Sequence, residues 1–187
     1  MSPSFISRVA QELPNAEITF DKFHVIKLLN DGVDNVRRQE VKDNKDPKGT
    51  RYLWLKNRTN LTEKQSTTFD SLSKLNLKIS RAYQLKINFQ EFYSLPDRES
   101  GEAYLKRWYY WATHSRIGPM IEVVKTIKRH WDGVLNWFNS NLTYAFLEGM
   151  NSLIQAAKSR ARGYRSNRNF IAMAYQIGAK LDFELPT

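Results

Sequence analysis

One short run in this chain reads as a strand; elsewhere its elements read as helices, with apolar residues mostly recurring every three or four positions. In "AEITF" (16–20), Ile18 and Phe20 alternate with Glu17 and Thr19, the two-residue period of a strand. A single strand has no sheet to join. The chain is therefore expected to be mainly α, with one short strand.

The helices can be placed by their stripes and stops. Ser2 and Pro3 suit a helix start, with Ser as cap and Pro at the first position. Phe5, Ile6 and Val9 face inward, and Pro14 closes the segment. A long helix over 22–45 carries Val25, Leu29, Val33 and Val36 on one face, leaving Lys22, Asp31, Asp34, Arg37 and Arg38 mostly solvated. "DNKDPKGT" (43–50) reads as a linker, because Pro47 and Gly49 break any helix. "RYLWL" (51–55) fits a strand or a helical turn.

Thr62 caps a helix to about residue 74. The next helix carries Ile79, Ala82, Leu85, Phe89 and Phe92 and stops at Pro96. Another over 97–116 has Tyr104, Trp108 and Trp111 at helical spacing. Met120, Val124, Ile127, Trp131, Val134 and Phe138 predict one further helix over 120–138, packing on its neighbours. Over 142–162 the core face holds Leu142, Phe146, Met150, Leu153 and Ala157. Glu148 lies opposite, in line with Asn151, Gln155 and Arg162.

Charge narrows the partners. Among 187 residues, 29 Lys and Arg against 19 Asp and Glu leave a net charge of +10. That excess favours a polyanion, nucleic acid before an anionic membrane surface. No cysteine is present, which excludes disulfides and zinc–thiolate sites. The first residues lack the plan of a signal peptide, and no apolar run nears the ~20 residues that span a bilayer. A cytoplasmic chain with no membrane partner is expected.

Asp21 closes the alternating run. An acid at the tip of a strand is where open α/β sheets gather reactive groups; it is equally where a helix starting at 22 needs a cap. Glu148 on a polar face is ordinarily just solvated. Its company is less ordinary: Lys158, Arg160, Arg162, Arg165 and Arg168 follow it. Acids that bind a cation, beside cations that bind phosphates, make the pattern of metal-assisted phosphoryl transfer.

The residues "LPNAEITFDKFHVIKLLNDGVDNVRRQE" and, much later, "LEGMNSLIQAAKSRARGYRSNRNF" resemble the transposases of bacterial insertion sequences, specifically the ISL3 branch of the DDE group. The most specific markers are Asp-x-Phe-His-Val at 21–25, Glu-Gly-x-Asn at 148–151 and the Lys-x-x-x-Arg-Gly-Tyr-Arg pattern at 158–165. The resemblance implies a ribonuclease-H-like core with a large helical insertion. Residues 1–46 would be part of that core, 51–140 the insertion, and 141–187 the carboxy-terminal core helices.

Asp21 would be the second Asp of the catalytic triad and Glu148 its Glu, with His24 and Asn151 in supporting places. The implied cofactor is magnesium or manganese, held by carboxylates because hard cations take oxygen ligands. The implied partner is DNA at insertion-sequence ends; oligomeric state is left open. The family's first Asp sits just before a helix like "SPSFISRVAQEL", which here begins the chain. Asp31 and Asp34 cannot replace it, since both lie along the helix after Asp21. The expectation is a carboxy-terminal fragment of a transposase, inactive alone, whose ribonuclease-H-like core is incomplete.

Two further readings compete. "RWYYWATHSR" (107–116) could stack on bases, but its two apolar stripes favour a core role. His24, His114 and His130 lack the partners a metal site needs. The alternative for the whole chain is a non-catalytic helical module that binds DNA or another transposase molecule.

Overall fold

The computed structural model describes residues 3–140 and 144–179, the side chains of 3, 5, 140, 144–148 and 179 excepted. Two compact units divide the chain, Met1–Asn141 and Leu142–Thr187. The first begins with α1 (Pro3–Glu12), whose expected Ser2 cap lies outside the described residues. It continues through α2 (Lys22–Asp43), α3 (Arg51–Leu55), α4 (Glu63–Ser73) and α5 (Lys78–Glu91). It then closes with α6 (Arg98–Thr113), α7 (Gly118–Arg129), α8 (Trp131–Leu135) and α9 (Trp137–Ser140). No helix among the described residues is long and apolar enough to cross a membrane.

The core forms around α2, which packs against α5 and α7. Its stripe of Val25, Leu29, Val33 and Val36 is buried with Ile79, Leu85 and Phe89 of α5 and Met120, Val124 and Ile127 of α7. Helix ends follow local chemistry. Thr62 and Gln65 form a reciprocal capping box on α4, and Asp97 caps α6. Leu77 offers α5 no side-chain cap, so Glu40 of α2 reaches across to accept from Lys78 N (2.7 Å) and Ile79 N (2.9 Å).

Three expectations change, and one choice left open is resolved. Residues 16–20 form neither helix nor strand, and no neighbouring strand is present among the described residues for them to pair with. Residues 51–55 are helical, with Trp54 Nε1 donating to Thr50 Oγ1 at 2.9 Å. The helix expected over 120–138 breaks at His130 (φ −117°, ψ 28°) and again at Asn136, giving α7, α8 and α9. Asp34 is buried rather than solvated. Arg37 and Arg38 hold its two oxygens at 2.8 Å each, and Arg51 stands 3.4 Å away.

Lys86 is also fully buried. Its Nζ donates to the carbonyls of Trp54 (2.8 Å) and Leu55 (3.1 Å), which α3 leaves unpaired at its C-terminus, and lies 4.6 Å from the Tyr83 ring centroid. Burial pulls its pKa down from 10.5 to about 8. Between those values the unfolded chain binds the extra proton, so stability rises with pH, by at most about 1.4 kcal/mol per unit. Burial raises the phenol pKa of Tyr83 and Tyr93 above 10.0, so above that pH the folded state holds the extra protons and stability falls. Urea unfolding should therefore show maximum stability near pH 10, and Lys86→Met should flatten the rise from pH 8.

Candidate functional site

The segment 16–20 is positioned by α8 and its flanks. Phe20 N donates to Gly133 O (2.8 Å), and Asn136 Nδ2 donates to Ile18 O (3.1 Å). The Asn136 amide oxygen in turn accepts from Arg98 (2.8 Å), which fixes its orientation. The Phe20 ring meets His130 edge to face at 4.8 Å. Glycine at 133 is what permits this approach: a Cβ there would stand 2.5 Å from the Phe20 ring and 3.1 Å from Ile18 O.

That docking delivers Asp21 to the start of α2. Its backbone is extended (φ −61°, ψ 139°), and one oxygen, Oδ2, accepts from Phe23 N at 3.0 Å. His24 Nδ1 faces the same oxygen at 3.4 Å, while the Asp21 side chain is only 11% exposed. Tyr93 lies buried nearby; burial and, secondarily, the negative charge of Asp21 push its phenol pKa up. The capping role is thus real. It occupies one carboxylate oxygen and leaves the other outside the cap bond.

A carboxylate has the hard oxygen chemistry of a magnesium ligand, yet Asp21 is a single donor. Among the described residues no three of His, Cys, Asp or Glu converge as a metal cluster. Asp21 fits one corner of such a site and no more.

The second unit contains α10 (Tyr144–Arg160) and α11 (Asn167–Ala179). Glu148 falls within α10; its side chain, like those of Leu142 and Phe146, lies outside the described residues. Asp21 and Glu148 belong to different units. Asn151 is exposed, and Leu153, expected in the core, is 58% exposed.

The basic residues gather where α10 turns into α11. Gly163 N donates to Lys158 O (3.0 Å) and Arg162 N to Ser159 O (3.1 Å), the paired bonds of a Schellman turn. Arg162, expected on the face of a continuing helix, instead sits beyond its end at φ 53°, and Gly163 follows at φ 95°. The left-handed region costs a side-chain-bearing residue free energy that glycine avoids. Arg162 occupies the place where glycine is usual.

Ser166 Oγ then accepts from Asn169 N (3.3 Å) at the start of α11. Lys158 Nζ lies 5.6 Å from the Phe170 ring, which also meets Tyr164 at 5.7 Å. Lys158, Arg160, Arg162, Arg165 and Arg168 are all exposed, and residues 149–179 contain no acid. The turn presents uncompensated positive charge.

Sequence reasoning missed Asn136, Gly133 and Tyr93. Asn136 and Gly133 act through backbone atoms of residues more than a hundred positions away, and no local pattern marks such a contact.

A family model described as Transposase, of the DDE ISL3 type, matches residues 1–174. The chain is 29% identical over 194 aligned positions to the transposase for insertion sequence element IS1557 of Mycobacterium tuberculosis, covering 89% of this chain and 44% of that protein. It is 28% identical over 178 positions to the transposase for insertion sequence element IS1001 of Bordetella parapertussis, covering 91% of this chain and 44% of that protein. The chain therefore spans less than half the length of these curated relatives. No solved structure matches it.

Proposed function

Because the chain belongs to the ISL3-type family of DDE transposases, we propose that it supplies two of the three carboxylates, Asp21 and Glu148, of a site that cleaves and joins DNA. The observation that carries this reading is the placement of Asp21. It is held at the end of a docked segment, with its side chain largely buried. A residue serving only as a surface cap needs no such support.

Residues 16–20 would be one strand of a ribonuclease-H-like core. The backbone groups of Glu17 and Thr19 enter no hydrogen bond among the described residues, which suits pairing with a further strand. Asp21 and Glu148 would hold magnesium or manganese together with the first Asp of the triad. When bound, such ions supply the positive charge that stabilises the oxygens of a phosphodiester undergoing displacement. His24 would orient the Asp21 carboxylate through the contact already present. The basic turn would bind DNA phosphates, with insertion-sequence ends as the substrate.

The test is strand cleavage on DNA carrying the element's ends, in magnesium or manganese. A version lengthened upstream through the first Asp should nick it, and the 187-residue chain alone should not. If the lengthened version binds this DNA and leaves it intact, the non-catalytic DNA-binding reading is the better one.

A further inference from the structure

α6 carries two faces of different character. Leu105, Trp108 and Ala112 are buried, and Trp108 Nε1 donates to Leu85 O at 2.9 Å. On the other side Arg107, Tyr110, Trp111 and His114 follow at intervals of three, one and three residues, which makes a single stripe along the helix. All four are exposed; Tyr110 is 66% and Trp111 41% open to solvent. The aromatic run in 107–116 thus divides between core and surface.

The stripe is ordered and positively charged. His114 Nδ1 lies 2.7 Å from Tyr110 O, and the Tyr110 and His114 rings lie against one another, centroids 4.1 Å apart and tilted by 32°. Arg107 belongs to no ion pair among the described residues, and neither does Arg116 just beyond the helix. Arg116 has φ 59°. Among the described residues the non-glycine positions with positive φ are Arg116 and Arg162, both arginines, although Asn, Asp and His are the side chains that favour this region. In both places a helix ends by turning a cation outward at a conformational cost.

We infer that this face of α6 is a second DNA surface, one that takes unpaired bases. It rests on the DNA reading proposed above. A duplex hides the faces of its bases within its own stack, so exposed rings gain little from it. An opened or single strand presents those faces, and its phosphates can pair with Arg107 and Arg116. From Arg107 to His114 the helix rises about 10 Å, room for about two or three nucleotides.

The experiment compares binding of an oligothymidylate and of a duplex of equal length to the full 187-residue chain, by fluorescence anisotropy. Tyr110→Ala with Trp111→Ala should weaken oligothymidylate binding by about tenfold or more while changing duplex binding less than about twofold. Tyr110→Phe with Trp111→Phe keeps both ring faces and should retain most of the affinity, which separates stacking from misfolding. Oligothymidylate binding unchanged by the alanine pair, or lost equally in the phenylalanine pair, overturns the inference. So does sedimentation showing that the alanine pair converts a dimer to a monomer, since the stripe would then be a protein interface. Replacing the four arginines of the α10–α11 turn with alanine should instead abolish most duplex binding. If it does not, the DNA reading of that turn fails, whatever the α6 variants do.

Discussion

Asp21→Asn should reduce DNA cleavage by at least about three orders of magnitude in a version carrying the whole triad, without lowering its melting temperature. Asparagine caps a helix as well as aspartate does, so the bond from Phe23 N to the residue 21 side chain survives. What disappears is one negative charge. A neutral amide oxygen holds a divalent cation poorly, and losing several kcal/mol of transition-state stabilisation corresponds to several orders of magnitude in rate. Asp21→Ala removes the cap as well, costing about 1 kcal/mol and roughly 2–4 °C in a chain this size. The pair of variants therefore separates the two roles of one side chain. If Asn cuts DNA as fast as the parent while Ala is both less stable and slower, Asp21 is only a cap. Glu148→Gln should match the cleavage loss of Asp21→Asn, and full activity in either variant removes that residue from the site.

The parts of this fold that were legible share a local cause. Thr62 as the cap of α4, the helix start near residue 97, and Pro47 with Gly49 in the linker depend on residues within three or four positions of themselves. The stripe on α2 was legible because helical period and burial coincide there. Asp34 was not, because Arg37 and Arg38 at three and four residues' distance look the same on a solvated face; the carboxylate's burial and its third arginine, Arg51, come from tertiary packing. Lys86 was hidden because its acceptors are backbone carbonyls, which any sequence supplies.

The break at His130 falls inside an unbroken apolar repeat and arises where α8 meets the segment 16–20. Within the candidate site, motifs marked Asp21 and Glu148. The supports of Asp21, namely Asn136, Gly133 and Arg98, came only from the fold.

Replacing Arg160, Arg162, Arg165 and Arg168 with alanine should weaken duplex binding about a thousandfold near 0.1 M salt. Each phosphate neutralised on B-DNA adds about −0.9 to the slope of log K against log salt. Four contacts from the five cations of the turn give a slope of roughly −3 to −4, and at 0.1 M each is worth about eightfold relative to 1 M. The parent chain should show that slope in a fluorescence titration, and the variant should approach a flat line. Arg162 allows a sharper check, because its place in the turn and its charge can be separated. Arg162→Gly keeps the bonds from residues 162 and 163 to Ser159 O and Lys158 O. It relieves about 1 kcal/mol of left-handed strain, set against about 0.5–1 kcal/mol of added freedom in the unfolded chain. Stability should then stay within about 1 kcal/mol of the parent, while affinity falls about eightfold and the slope loses about one unit. A glycine variant that binds as tightly as the parent would mean that the arginine stands in the left-handed position for some reason other than DNA.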